Sequence, residues 1–149
     1  RQNGQGAAST WSFSPEKEAV FVKMAAQVPS NTENARFDWD KGLTLKLGLT
    51  DLGELLAVLL GRKSGAGPKR DDGKFGGLFH RSPKGDSSLS LLRSSSDDGF
   101  YVKIGVKREG KELRTAAHNL SEAEGCVLQA ALQTAITTIA GWQSMTAKA

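Results

Sequence analysis

Few residues in this 149-residue chain have types and spacings that could support catalysis. His80 and His118 lie in different segments. Neither has a histidine or cysteine at i+4 or a cysteine beside it, so neither starts a metal site. Asp71-Asp72 and Asp97-Asp98 fall in Gly- or Ser-rich turns, where carboxylates are ordinarily solvated. The serines at 94 to 96 stand outside any G-x-S-x-G elbow. Cys126, the single cysteine, rules out an intramolecular disulfide framework and reads as a small core residue on an apolar helix. RKSGAGPKRDDGKFGG at 62–77 has glycines and cations but no GKS or GKT and no preceding strand, so it is not a nucleotide phosphate loop. No nucleophile, base and oxyanion donor come together. No catalytic residue, metal or cofactor is expected, and the chain reads as a non-enzyme.

Binding chemistry remains. In GFYVKIGVK, residues 99–107, Phe100, Val102, Ile104 and Val106 alternate with Tyr101, Lys103, Gly105 and Lys107. Period-two alternation marks a strand with one buried and one open face. LTLKLGL repeats the pattern, with Leu43, Leu45, Leu47 and Leu49 on one side and Thr44, Lys46 and Gly48 on the other. Net charge is +4, yet residues 62–114 hold thirteen Lys/Arg against seven Asp/Glu, while both flanking segments are slightly acidic. A local basic excess favours a polyanionic partner. Lysines neutralise phosphates and exposed rings stack on unpaired bases, which suits single-stranded nucleic acid. The candidate binding residues are Lys23, Arg36, Lys41, Thr44, Lys46, Arg81, Lys84, Tyr101, Lys103, Lys107 and Arg114. Gly48 and Gly105 are expected to lower the surface so that a backbone or base can approach. The bland alternative is that this is simply the solvent side of a sheet.

The elements that must position these residues follow from the pattern. RQNGQGAAST reads as a disordered leader over 1–10, or the remnant of an organelle presequence. A short strand is expected at Trp11–Ser14. The apolar run 19–28 ends at Pro29 and the turn-forming Ser30-Asn31, and Asp40-Lys41-Gly42 signals a turn. A helix should follow, with Thr50 as N-cap, Leu52, Leu55, Leu56 and Leu59 at helical spacing, and Gly61 closing it. Residues 62–77 read as a flexible loop. LFHRSP, SSLSLLRS, GFYVKIGVK and ELRTAAHNL are four strand-like segments, the last two joined by a turn at Arg108–Lys111. Ser121-Glu122-Ala123-Glu124 is a capping box opening a helix to about Ile139, with Val127, Leu128, Ala131, Leu132, Ala135, Ile136 and Ile139 to bury. The expected fold is α+β: a duplicated strands-plus-helix unit with two antiparallel sheets packed with helices, in one domain over 11–142 followed by a tail at 143–149.

The uncharged stretch Gly125–Ala147 is interrupted by Gln129, Gln133, Thr134, Thr137 and Thr138, so it reads as a buried helix and no membrane is expected. With no permanently wet face, that helix is expected to be covered in an oligomer, most simply a tetramer.

FDWDKGLTLKLGLTDLGELLAVL resembles the Whirly family, whose members carry Y-D-W, a charged pair, a strand and a T-E-[IV]-G helix start in this order. Phe37 stands where Tyr is usual, Asp38 and Trp39 match, and Thr50-Asp51-Leu52-Gly53 stands for the helix start. LFHRSPKG at 78–85 resembles the family's F-F-H-D-P segment, with Arg81 in place of an acid. GFYVKIGVK resembles its G-x-[FY]-[FIL]-x-[LV]-x-V strand. LSEAEGCVLQAALQTAITTIAGW resembles its final helix, ending at Gly141-Trp142. These motifs span residues 20–142. The family's lysine-glycine-lysine-alanine-leucine-proline segment and its acidic-aromatic tail have no counterpart. The resemblance implies two packed sheets with crossing helices, a tetramer, and single-stranded DNA bound with little sequence preference. The mitochondrial guide-RNA-binding proteins of kinetoplastids share the fold and bind RNA on a basic sheet surface. DNA and RNA therefore both stand as expected ligands, and the mitochondrion is the expected compartment. The competing expectation is a protein-interaction scaffold working through the uncharged final helix.

Overall fold

The computed structural model describes residues 6–30, 33–95 and 98–141. Residues 1–5, Asn31 of the Ser30-Asn31 turn, Ser96, Asp97 of the Asp97-Asp98 pair, Trp142 and the 143–149 tail lie outside the described residues.

Among the described residues, eight strands and two α-helices run β1 (Ala7–Ser14), β2 (Ala19–Val28), β3 (Arg36–Phe37), β4 (Leu43–Leu47), α1 (Leu49–Leu59), β5 (Leu78–Ser82), β6 (Gly85–Arg93), β7 (Phe100–Arg108), β8 (Arg114–Leu120) and α2 (Glu122–Ala140). A one-turn 3-10 helix, Trp39–Lys41, sits between β3 and β4. The strands make two antiparallel four-stranded sheets, and each half of the chain ends in a helix. In the first sheet β1 pairs along one edge of β2, while β4 and β3 share the other. In the second sheet β5, β6, β7 and β8 pair in sequence order. This is the expected α+β architecture.

One apolar core joins everything. Val20, Val22 and Met24 of β2 and Leu43, Leu45 and Leu47 of β4 meet Leu89, Leu91, Phe100, Val102 and Ile104 of the second sheet. Leu52, Leu55 and Val58 of α1 and Leu128, Leu132 and Ala135 of α2 complete it. Among the described residues no polar or charged side chain is buried. α2 lies very close to β7: a Cβ on Gly125 would stand 2.4 Å from the Phe100 ring. His118 Nε2 is 2.7 Å from Ser9 Oγ, tying β8 to β1 at the edge where the sheets meet.

Several expectations need correction. β1 begins at Ala7, so residues 7–10 of the supposed leader are strand. They are held there by pairing with residues 23–26 of β2. Helix α1 is capped by Gly48 rather than Thr50, and the Asp51 carboxylate accepts from the Gly48 N–H at 3.0 Å. Leu49 consequently leaves the strand phase and is exposed. On α2, Ala131 and Cys126 are exposed and Val127 is 72% exposed. That helix buries a narrower stripe than its composition suggests.

The segment 62–77 is a loop, but a pinned one. The Glu54 carboxylate accepts from Lys63 Nζ at 2.6 Å and from the Gly67 N–H at 3.1 Å. The Lys63 hydrogen bond, helped by that of Gly67 and opposed by desolvation, holds the Glu54 carboxyl below its ordinary pKa. A group whose folded pKa is depressed adds stability above its unfolded value and loses it as pH falls through the folded one. Thermal melts across the acid range should therefore show the wild-type midpoint falling as Glu54 takes up its proton. In Glu54→Gln that part of the pH dependence should be missing.

Candidate nucleic-acid interface

The phase of β7 decides what the second sheet offers. Phe100, Val102 and Ile104 are at most 3% exposed, which forces Tyr101, Lys103 and Lys107 outward. Cross-strand register carries this face over all four strands. Tyr101 stands beside Leu92 and Asn119, Lys103 beside Ser90 and Ala117, and Lys107 beside Asp86. Asp86 in turn lies opposite Arg81 on β5. Arg81 therefore joins Tyr101, Lys103 and Lys107 on one face, as expected. Its guanidinium sits 5.5 Å from the ring centre of Phe79, which is 57% exposed.

Phe79 is the residue that sequence patterning missed. The signal was present, because LFHRS alternates Leu78 in, Phe79 out, His80 half-buried and Arg81 out. His80 instead reaches α1, with Nε2 3.2 Å from the Asp51 carboxylate. Gly105 does not lower this surface. Ser88, Leu113 and Thr115 close around it, and a Cβ there would sit 3.0 Å from Ser88 Oγ.

The first sheet presents a second, smaller face. Lys23 pairs with Thr44 and Thr10, and Phe21 with Lys46 and Ser12, all on the side opposite Val20, Val22 and Met24. The Lys23 stem lies over Gly42. Lys17 stands 5.4 Å from the Phe21 ring centre. Gly48 is at the helix cap, off this face.

The other candidates are dispersed. Arg36 is exposed on the short β3, and Lys84 on the turn between β5 and β6. Lys41 is exposed on the 3-10 turn, 3.9 Å from Asp38. Arg114 falls in the inward phase of β8, opposite Val106, and its guanidinium donates to the Lys41 carbonyl. It works as a strut between the sheets rather than as part of the open face. Beside it lies a cleft of about 240 Å3 lined by Thr44, Arg108, Lys111, Glu112 and Arg114. Arg108 and Lys111, which strand patterning assigns to a turn, thus carry positive charge from the second sheet toward Thr44 of the first.

Among the described residues no group of His, Cys, Asp or Glu could hold a metal ion, and no helix is long and apolar enough to cross a membrane.

If the phase is right, Lys103→Glu with Lys107→Glu should leave the melting curve nearly unchanged, within about 0.5 kcal/mol per site. Ile104→Ala, one residue away, should lose about 2–5 kcal/mol through a core cavity. Chemical denaturation of the two variants checks this, and comparable losses would show the face to be wrongly assigned.

No protein-family model matches the chain, and no curated protein matches it. Solved structures do. WHY1 from Arabidopsis thaliana is similar at 16% identity and a TM-score of 0.72, over 95% of this chain and 84% of that one. The plant transcriptional regulator PBF-2 is similar at 18% identity and 0.71, over 96% and 82%. Trypanosome MRP1/MRP2 is similar at 17% identity and 0.61, over 92% and 87%. At these identities the likeness is one of fold, and the fold of this chain is that of the Whirly proteins.

Proposed function

We propose that this chain is a non-catalytic binding protein for single-stranded nucleic acid, DNA or RNA, with low sequence preference. The observation that carries the reading is the open face of β5–β8. Two outward-facing rings, Phe79 at 57% and Tyr101 at 37% exposure, stand there among Arg81, Lys103 and Lys107. Rings stack on any unpaired base because every base has a π-face, and cations beside them follow the phosphates without reading sequence. A duplex hides its bases, so the rings gain nothing from it. The likeness to the Whirly fold and to the plant transcriptional regulator PBF-2 supports the same reading. The mitochondrion is the proposed compartment, on the kinetoplastid side of the resemblance.

We further propose that the working unit is an oligomer, a homo- or hetero-tetramer. Supporting this is an open apolar groove of about 730 Å3 between β1, β8 and α2, lined by Ala7, Trp11, Leu120, Ala123, Val127 and Ala131 among others. An apolar groove open to water suits an interaction surface. The same groove favours the second reading, a protein scaffold working through α2.

Titration with labelled single-stranded DNA, single-stranded RNA and duplex separates the readings. Unpaired strands should bind well above duplex, whereas a scaffold binds none of them. Affinity should fall steeply with salt, by about 0.7 in logarithmic slope per phosphate neutralised. Lys103→Glu with Lys107→Glu should lower that slope. Phe79→Ala or Tyr101→Ala should cost roughly 1–3 kcal/mol per stacked base with the slope unchanged. Salt-insensitive binding would contradict the phosphate-tracking picture.

Light scattering should show a tetramer that Val127→Glu dissociates. A wild-type monomer at micromolar concentration would overturn the oligomer.

A further inference from the structure

Residues 62–77 are built as a small element of defined shape. Ala66 N–H donates to the Leu91 carbonyl and Arg93 N–H to the Ser64 carbonyl, each at 2.9 Å, so the chain first adds to the edge of β6 ahead of β5. It then forms a hairpin. Gly76 N–H donates to Pro68 O at 2.9 Å, Arg70 N–H to Lys74 O at 2.7 Å, and Gly73 N–H to Arg70 O at 2.9 Å. At the base the two strands cross so closely that a Cβ on Gly67 would lie 2.1 Å from the Gly77 carbonyl oxygen. Both glycines have positive φ, +85° and +77°, which disfavours any other residue there. Glu54 clamps the same base through Lys63 and Gly67. A flexible tether needs neither tightly crossed glycines nor a paired carboxylate.

The hairpin leans toward the candidate face. Gly65 pairs directly with Leu92, and a Cβ on it would meet both the Leu92 side chain and the Phe75 ring. Leu92 lies beside Tyr101 on the open side. Phe75 thus roots the hairpin at the rim of that face. Its tip carries Lys69, Arg70 and Lys74, all exposed. Asp72 is consumed in closing the turn: it pairs with Arg70 at 3.2 Å and accepts from the Lys74 N–H at 2.9 Å. Among the described residues Lys69 and Lys74 have no ion-pair partner.

We propose that the hairpin Pro68–Gly76 is a basic finger that holds the phosphate backbone of a single strand as it leaves the β5–β8 face near Leu92 and Tyr101. The proposal rests on that face being the nucleic-acid surface. Two cations without ion-pair partners, set on a rigid base beside the rings, fit a polyanion that the face already orients.

The test uses the full chain and labelled oligothymidylate over a range of salt. Lys69→Ser, Arg70→Ser and Lys74→Ser together should weaken binding and lower the salt slope by about 0.7 for each phosphate no longer neutralised. Asp71→Lys, at the exposed tip, should do the opposite, tightening binding and steepening the slope, an effect that misfolding cannot imitate. Wild-type affinity and slope in both variants would overturn the finger and leave the face standing. A wild-type protein that binds no single strand would overturn the face, and the finger with it.

Discussion

A strand whose every second residue is sealed in a core has no choice about where the others point, and β7 is such a strand. Phe100, Val102 and Ile104 lie at the centre of an apolar mass drawn from both sheets and both helices. Sliding β7 by one residue would drive Lys103 and Tyr101 into that mass and bring Ile104 to water. The register with β6 and β8 then fixes the outward row on the neighbouring strands. The candidate surface is therefore a consequence of how the core is filled. The close seat of α2 on Phe100, possible because residue 125 is glycine, helps lock the phase.

The same economy explains the basic surface. Both helices pack on the inner sides, and α1 and α2 touch one another, so no helix among the described residues covers the outer sides. An antiparallel sheet tolerates one wet face. Instead of a purely polar solvent surface, that face carries the outward rings Phe79 and Tyr101 beside its cations. The Arg81 guanidinium over Phe79 keeps a cation and a ring together on that face.

Much of this was legible in the sequence because period-two and period-3.6 patterns report burial directly. β4, β7, the two helices and the α+β order were all readable that way. What was not legible depended on contacts distant in sequence. Residues 7–10 are polar and small, and only pairing with β2 makes them a strand. Glycine and charge at 62–77 imitate a linker, whereas Glu54, thirteen residues before Gly67, supplies the clamp. On α2, composition shows that the helix lacks charge but not which side the core takes. Apolar character assigns Val127 and Cys126 inward, yet both face outward, Val127 into the open groove between β1, β8 and α2. Charge alone places Arg114 on the open face, but its phase opposite Val106 turns it toward the 3-10 turn.

Photo-crosslinking maps the contact surface most directly. A photoreactive single strand bound to the intact protein should crosslink to peptides carrying Phe79 and Tyr101, and competing unlabelled single strand should abolish the signal. Crosslinks confined to the Trp11 and Val127 groove, with the β5–β8 peptides untouched, would contradict the account.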